Sequence, residues 1–117
     1  MTRVIQHYCA RFYECAIEGL ETGVKRRAEI VCLQEPPRER GVIGISHLAY
    51  KIRKSTTVCT AKQQGSGLVV DEQKDLSRRA NDHVIATDFR RRGEKIIRIV
   101  NIYDQKEAQS GERERQA

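Results

Sequence analysis

The pattern of apolar and polar residues predicts a strand, a helix and a second strand at the start of the chain. Residues 3–8 form the first short strand. Over residues 10–26, apolar residues such as Cys15, Leu20 and Val24 recur at spacings of three to five, the period of an amphipathic helix. Residues 30–33 are apolar at every position, which is typical of a strand covered on both faces.

Further strands are predicted at residues 56–61, 67–70, 83–89 and 95–103, and the polar turn 90–94 makes the last two a β-hairpin. Residues 38–54 show no sustained period, so we predict a long loop with one helical turn at 47–52. The fold class that follows is α/β. We expect one mixed sheet with strands near 3–8, 29–34, 67–70, 83–89 and 95–103, and the helix of residues 10–26 covering one face.

Length and composition indicate one domain. The chain has 117 residues, of which 38% are hydrophobic and 32% charged. No segment approaches the ~18 apolar residues that a membrane span needs, and no apolar core follows the first charges as in a signal peptide. We therefore expect an intracellular protein. From residue 104 the sequence is wholly polar, so residues 104–117 are predicted to be a disordered tail.

The four cysteines, at positions 9, 15, 32 and 59, do not follow a zinc or disulfide framework. The three histidines also fail to bracket them at the spacing of zinc ligands. Cys32 and Cys59 lie in apolar strand contexts, where a free cysteine behaves as a small hydrophobic residue. The cysteines are thus predicted to belong to the core.

The charge balance favours contact with a polyanion. The net charge is +6 with a pI near 9.4, and the excess is concentrated at residues 25–27, 78–79 and 90–92. We take Arg90, Arg91 and Arg92 as candidate nucleic-acid-binding residues, which would hold phosphates without sequence preference and with steep salt sensitivity. The alternative is a set of solvated loop tips with no partner.

Glu35 ends the apolar run of the second strand. Pro36 and Pro37 follow it and lack backbone N–H groups, so they stop the ladder of hydrogen bonds. The carboxylate is thereby left at the edge of the sheet, where a divalent cation or a phosphate could approach. The alternative is a strand-end glutamate paired with one of the many arginines.

Two segments carry a resemblance to a known family. Residues 28–37 resemble the "DIVCLQEP" signature of the endonuclease/exonuclease/phosphatase (DNase I-like) superfamily, in which the Glu binds catalytic Mg²⁺. Residues 98–105 are similar to its "NvY" strand, in which the Tyr contacts the phosphate. Residues 3–7, with Ala10 and Arg11, resemble the first strand of the endonuclease domains of LINE-type retrotransposons.

The resemblance implies a fold and a set of site residues. The fold would be the front half of a DNase I-like two-layer α/β sandwich, over residues 1–103. Glu35 would be the ligand of Mg²⁺, and Tyr103 and Asn101 the catalytic residues. DNA would be the partner, in the nucleus.

The sequence departs from the family's pattern in ways that bear on activity. Tyr8 stands where the family has an Asn, and a phenol does not supply the paired donor and acceptor of a carboxamide. The family's catalytic His, Asp-x-Asn and Asp-His motifs lie beyond the "NvY" strand. Asn81-Asp82-His83 precedes that strand, so it is predicted only to cap the next one.

We therefore expect a retrotransposon-derived endonuclease domain that is inactive alone and binds Mg²⁺ weakly. A sheet face left uncovered would favour self-association. One alternative is a non-catalytic, basic nucleic-acid-binding remnant. Another is a translated fragment without a selected role.

Overall fold

The computed structural model of this chain describes residues 3–39, 42–65, 68–73, 83–91 and 93–103, without the side chains of residues 42 and 68–73. In these ranges no helix is long and apolar enough to cross a membrane. The predicted tail, Arg92 and the Asn81-Asp82 pair lie outside them. The elements are β1 (Val4–Tyr8), α1 (Tyr13–Lys25), β2 (Ile30–Gln34), β3 (Arg38–Glu39), β4 (Val42–Ile43), β5 (Tyr50–Lys54), β6 (Val58–Gln63), β7 (Leu68–Gln73), β8 (Val84–Arg90) and β9 (Ile97–Ile102).

A four-stranded mixed sheet, in the order β1-β2-β6-β5, forms the first layer. β1 is parallel to β2, with Tyr8 opposite Gln34, whereas β6 is antiparallel to both β2 and β5. All five residues of β2 are buried. The prediction of a strand covered on both faces is confirmed.

Helix α1 packs against one face of this sheet, as predicted, and begins at Tyr13. Its buried residues Ala16 and Leu20 join Val31 and Leu33 of β2 in the larger apolar cluster. Gly23 allows this approach, because a Cβ there would lie 2.6 Å from the Val31 Cγ2 and the Tyr50 Oη. The lack of a side chain therefore offsets the cost of glycine in a helix, about 1 kcal/mol against alanine.

The other face of the first sheet is covered by a second sheet. Strands β7, β8 and β9 form an antiparallel three-stranded sheet of their own. Ile30 and Cys32 of β2 pack against Phe89 of this sheet, with Ile99 at the margin. The expectation that these strands extend one mixed sheet is wrong. β2 is apolar on both faces, and α1 covers only one of them. The other face must be covered by a second layer, which is the β7–β9 sheet.

The prediction of a loop over residues 38–54 is also wrong. β3 and β4 form a two-stranded ribbon, and β5 is the outer strand of the first sheet. In place of the expected helical turn, Tyr50 N–H donates to the His47 carbonyl in a tight turn. Tyr50 is then buried, and its hydroxyl donates to the Ala28 carbonyl at 2.8 Å. This strand has only two apolar residues in five, too few to show a period.

The cysteines are free thiols, and Cys32 and Cys59 are buried in the two apolar clusters, as predicted. Burial raises the pKa of the Cys32 thiol to about 11. Burial likewise raises the pKa of Cys9 to about 12. These thiols are therefore protonated at neutral pH and pack as small apolar groups.

Candidate functional site at the carboxyl end of the central strand

The sheet topology brings the ends of several strands to one edge of the sandwich. β1 and β2 are parallel and end side by side, while β6 and β8 begin near the same place. Tyr8 is the last residue of β1 and Tyr103 follows β9, and their ring centroids lie 6.4 Å apart. Glu35 N–H donates to the Thr57 carbonyl at 2.8 Å, and Tyr103 N–H donates to the His83 carbonyl at 3.0 Å.

Glu35 is held at this edge by its backbone and its side chain. The residue is only 8% exposed. Arg11 Nε lies 3.2 Å from Oε2, and Arg11 Nη2 lies 3.4 Å from Oε1. Both carboxylate oxygens therefore face one guanidinium. The structure thus shows the arginine pairing that the sequence left open, with an arginine from outside the three basic clusters.

The backbone around this ion pair is strained. Among the described residues only four non-glycine positions have a positive φ, and three of them are Ala10 (51°), Arg11 (66°) and Glu35 (51°). Each such residue costs about 1–3 kcal/mol, which contacts with the surrounding structure must offset. Here Arg11 N–H donates to the Glu35 carbonyl at 2.7 Å, and Phe12 N–H donates to the Cys9 carbonyl at 2.9 Å. The two turns thus fix each other in place.

Tyr103 lies beside this pair. Its ring is nearly parallel to that of Tyr8, with an interplanar angle of 18°. Burial raises the pKa of the Tyr103 phenol above its ordinary value, and the negative charge of Glu35 raises it further. The phenol therefore keeps its proton at neutral pH and can donate a hydrogen bond. We call Tyr8, Arg11, Glu35 and Tyr103 the tyrosine edge.

Asn101 ties the two sheets together. It is 1% exposed, and its Oδ1 accepts a hydrogen bond from Gln34 Nε2 at 2.6 Å. Its Nδ2 donates to the Cys59 carbonyl at 2.8 Å and to Thr60 Oγ1 at 3.1 Å. The carboxamide is thus engaged within the protein, two residues before Tyr103. Its catalytic role stays a prediction, and the geometry shows it positioning the end of β9.

The residues present do not fit a Mg²⁺ site as they stand. Mg²⁺ prefers several oxygen ligands in near-octahedral geometry. Within the described ranges, no group of three or more His, Cys, Asp or Glu residues could hold a metal ion. At Glu35, the Arg11 guanidinium already provides the positive charge that a metal would bring.

Two of the predicted nucleic-acid-binding arginines, Arg90 and Arg91, lie at the opposite end of the sandwich. β8 begins at Val84, next to His83 at the tyrosine edge, and ends at Arg90, and its seven residues span roughly 20 Å. Arg90 is exposed, whereas Arg91 Nη1 lies 3.4 Å from Glu29 Oε1, at the start of β2. The sequence-predicted site residues therefore belong to two separate regions.

Other basic residues collect at the same far end. Arg3 precedes β1, and its Nη1 donates to the Arg26 carbonyl at 2.6 Å, just beyond the end of α1. Glu29 N–H donates to the Arg3 carbonyl. Two clusters that are distant in sequence thus meet in space. We call this set of residues the basic end: Arg3, Arg26, Arg27, Arg90 and Arg91.

A solved structure has the same architecture. It is the endonuclease domain of TRAS1, a telomere-specific non-LTR retrotransposon, with a TM-score of 0.65 at 18% sequence identity. The chain thus has a partial DNase I-like fold. The match covers 97% of this chain and 52% of that domain, so the chain spans about half the domain's length. The sequence matches no protein-family model and no curated protein.

The surface at and next to the tyrosine edge carries aromatic side chains whose exposure was not predicted from the sequence. Phe12 lies within the helix predicted over residues 10–26, but it is the N-cap of α1 and is 61% exposed. Tyr8 and Tyr13 are 56% and 53% exposed. With Tyr103, four of the six aromatic residues thus lie at or next to the tyrosine edge. The aromatic residues at positions 8, 12 and 13, close to Arg11 in the sequence, are the signal from which this exposed group could have been predicted.

Proposed function

We propose that this chain is an endonuclease-type domain that binds the phosphate backbone of DNA and does not cut it unaided. The observation that carries the proposal is the Arg11–Glu35 pair. Both oxygens of Glu35 face the Arg11 guanidinium, so the negative charge of this carboxylate is paired and does not repel a phosphate. The remaining N–H groups of Arg11 are hydrogen-bond donors at the edge. A phosphodiester is an anion that accepts such hydrogen bonds. The endonuclease fold and the net charge of +6 support the same partner.

The lack of cutting follows from what hydrolysis requires. Phosphodiester hydrolysis needs a base that activates water and a positive charge that stabilises the phosphoryl oxygens. His83 is the described histidine at this edge, and its Nδ1 is engaged with Thr57 Oγ1 at 2.6 Å. A divalent metal at Glu35 would have to displace Arg11, so we expect millimolar binding or weaker. Groups supplied by another polypeptide would be needed for turnover.

Self-association and location belong to the same proposal. β9 is an outer strand of its sheet, and it exposes Val100 and Ile102 at 38% and 52%. Exposed apolar residues on an outer strand, whose second edge faces no further strand of the described sheet, favour edge-to-edge contact. We expect the isolated chain to dimerise or aggregate through this strand. A DNA-binding role would place it in the nucleus.

Two assays test the proposal. Fluorescence anisotropy of a labelled duplex should show binding that weakens steeply from low to physiological salt. Supercoiled plasmid with Mg²⁺ should remain unnicked by the purified chain. Nicking that Glu35→Gln abolishes would overturn the view that the chain does not cut. Absence of duplex binding even at low salt would overturn the view that it holds DNA.

A further inference from the structure

We infer that the tyrosine edge binds an unpaired nucleobase of single-stranded DNA, with the adjoining phosphate on Arg11. This inference rests on the proposed DNA binding and specifies which form of DNA this edge recognises. It draws on three features: aromatic side chains open to solvent, a half-exposed guanidinium among them, and a backbone that holds both in place.

The aromatic residues divide into two groups. Tyr50 and Phe89 are buried in the two apolar clusters. Tyr8, Phe12 and Tyr13 are each more than half exposed, and Tyr103 is half-buried against Tyr8. Apart from the contact between Tyr8 and Tyr103, the rings of this second group are open to solvent. A planar base can stack on an aromatic ring, and every base has such a face.

Arg11 supplies the phosphate contact. A guanidinium has five N–H donors, and Glu35 faces those of Nε and Nη2. The two N–H groups of Nη1 are directed to neither of these contacts, and 56% of the side chain is exposed. Because Arg11 is already paired with Glu35, its contact with a phosphate is weaker than that of an unpaired arginine. Stacking on the aromatic rings must therefore add to the affinity at this edge.

The edge is already ordered for such a ligand. The strained turn at Ala10 and Arg11 is fixed by the hydrogen bond from Arg11 N–H to the Glu35 carbonyl. Tyr8 ends a strand that is paired over its whole length with β2. Little ordering free energy is lost on binding when the site is preorganised in this way.

Duplex DNA does not satisfy this site as well as a single strand. Bases inside a duplex have both faces covered by their neighbours, whereas unpaired bases leave a face free for an aromatic ring. The tyrosine edge should therefore discriminate between DNA with and without accessible bases. The basic end consists of arginines, which bind phosphates, so it should not discriminate between these two forms of DNA.

The test compares oligothymidine with an abasic oligonucleotide of equal length, both labelled for fluorescence anisotropy. Oligothymidine should bind about tenfold more tightly, the scale of one stacked base. Tyr8→Ala should remove that difference, because the abasic strand has no base to stack on the ring. Tyr8→Phe, which keeps the ring, should preserve it. Leu48→Ala is the control, because Leu48 is a 98% exposed apolar residue outside the edge.

A second readout does not depend on a loss of affinity. The chain contains no tryptophan, so Tyr8→Trp introduces a single tryptophan, at the edge. Its emission should be quenched by oligothymidine and unaffected by the abasic strand. Equal binding of both strands with normal duplex binding would overturn this inference and leave the proposed function intact. Loss of binding to every nucleic acid at low salt would overturn both.

Discussion

Two glutamates flank the central strand, and they differ in what their ion pairs connect. Glu29 precedes β2 and Glu35 follows it, and they are 6% and 8% exposed. Each has an arginine, at 3.4 Å for Glu29 and 3.2 Å for Glu35. Arg91, just after β8, reaches Glu29 from the second sheet. Arg11 reaches Glu35 from the turn after β1, next to the first sheet, to which β2 also belongs.

The difference separates a structural contact from a candidate binding site. The Glu29 pair joins the two layers, and its arginine is the less exposed, at 39% against 56% for Arg11. The Glu35 pair lies among positive-φ residues and exposed tyrosines. Similar sequence contexts, an acid beside an apolar run, thus lead to different roles. The partner and its surroundings decide which role each acid has.

The largest expected effect is at Arg91. Arg91→Ala would leave the Glu29 carboxylate buried without its ion pair, and its Oε2 already lacks a hydrogen-bond partner. Breaking a fully buried pair costs ~3–5 kcal/mol, and partial exposure of Arg91 reduces this to about 2 kcal/mol. The melting temperature should fall by roughly 10 °C.

Arg90→Ala is the matched control, because Arg90 is an exposed neighbour at the end of β8. Its free energy of unfolding, measured with urea, should lie within about 0.5 kcal/mol of the wild type. Adding Glu29→Gln to Arg91→Ala should restore part of the loss, since no buried charge remains. Equal stability of the two arginine variants would show that the Glu29 pair does not join the layers.

The next effect is at Arg11, where a change in ligand binding is expected with a smaller loss of stability. Arg11→Ala should free both oxygens of Glu35 and cost about 1 kcal/mol, because the arginine is half-exposed. Mn²⁺, followed by its paramagnetic signal, should then bind about tenfold more tightly than to the wild type.

Glu35→Gln in the Arg11→Ala background should remove this gain, which would assign the metal to that carboxylate. The wild type should bind at millimolar concentrations or more weakly. Tight Mn²⁺ binding by the wild type that Glu35→Ala abolishes would contradict the view that Arg11 excludes a metal from Glu35. It would favour an active metal-dependent nuclease.

Local pattern was enough to predict the central features of the fold. The unbroken apolar run of β2 predicts a strand with two covered faces, and Pro36 and Pro37 predict an acid at its end. The helix follows from its period. The number of sheets does not follow, because the alternation in β8 and β9 is satisfied equally by one sheet or by two.

The site was predictable in part, for the same physical reason. Glu35 and Tyr103 can each be predicted from the residues around them in the sequence. They follow β2 and β9, which end at the same edge of the sandwich. The partner of Glu35 is 24 positions away, and it reaches the carboxylate through positive φ at Ala10 and Arg11. Neither residue type favours that conformation, so nothing local indicates the turn. Arg90 and Arg91 were grouped by adjacency, whereas the fold gives them different environments.

The smallest expected effect is in the salt dependence of duplex binding. Arg91 is unsuitable for this test because its loss should destabilise the fold. The single variant Arg90→Ala is therefore used to probe the basic end. Each lost phosphate contact should reduce the slope of log affinity against log salt by about one. Tyr8→Ala should leave that slope unchanged, because a stacked base releases no counterions. An unchanged slope in Arg90→Ala would remove Arg90 from the phosphate contacts, and a changed slope in Tyr8→Ala would mean that the two ends share one DNA-binding surface.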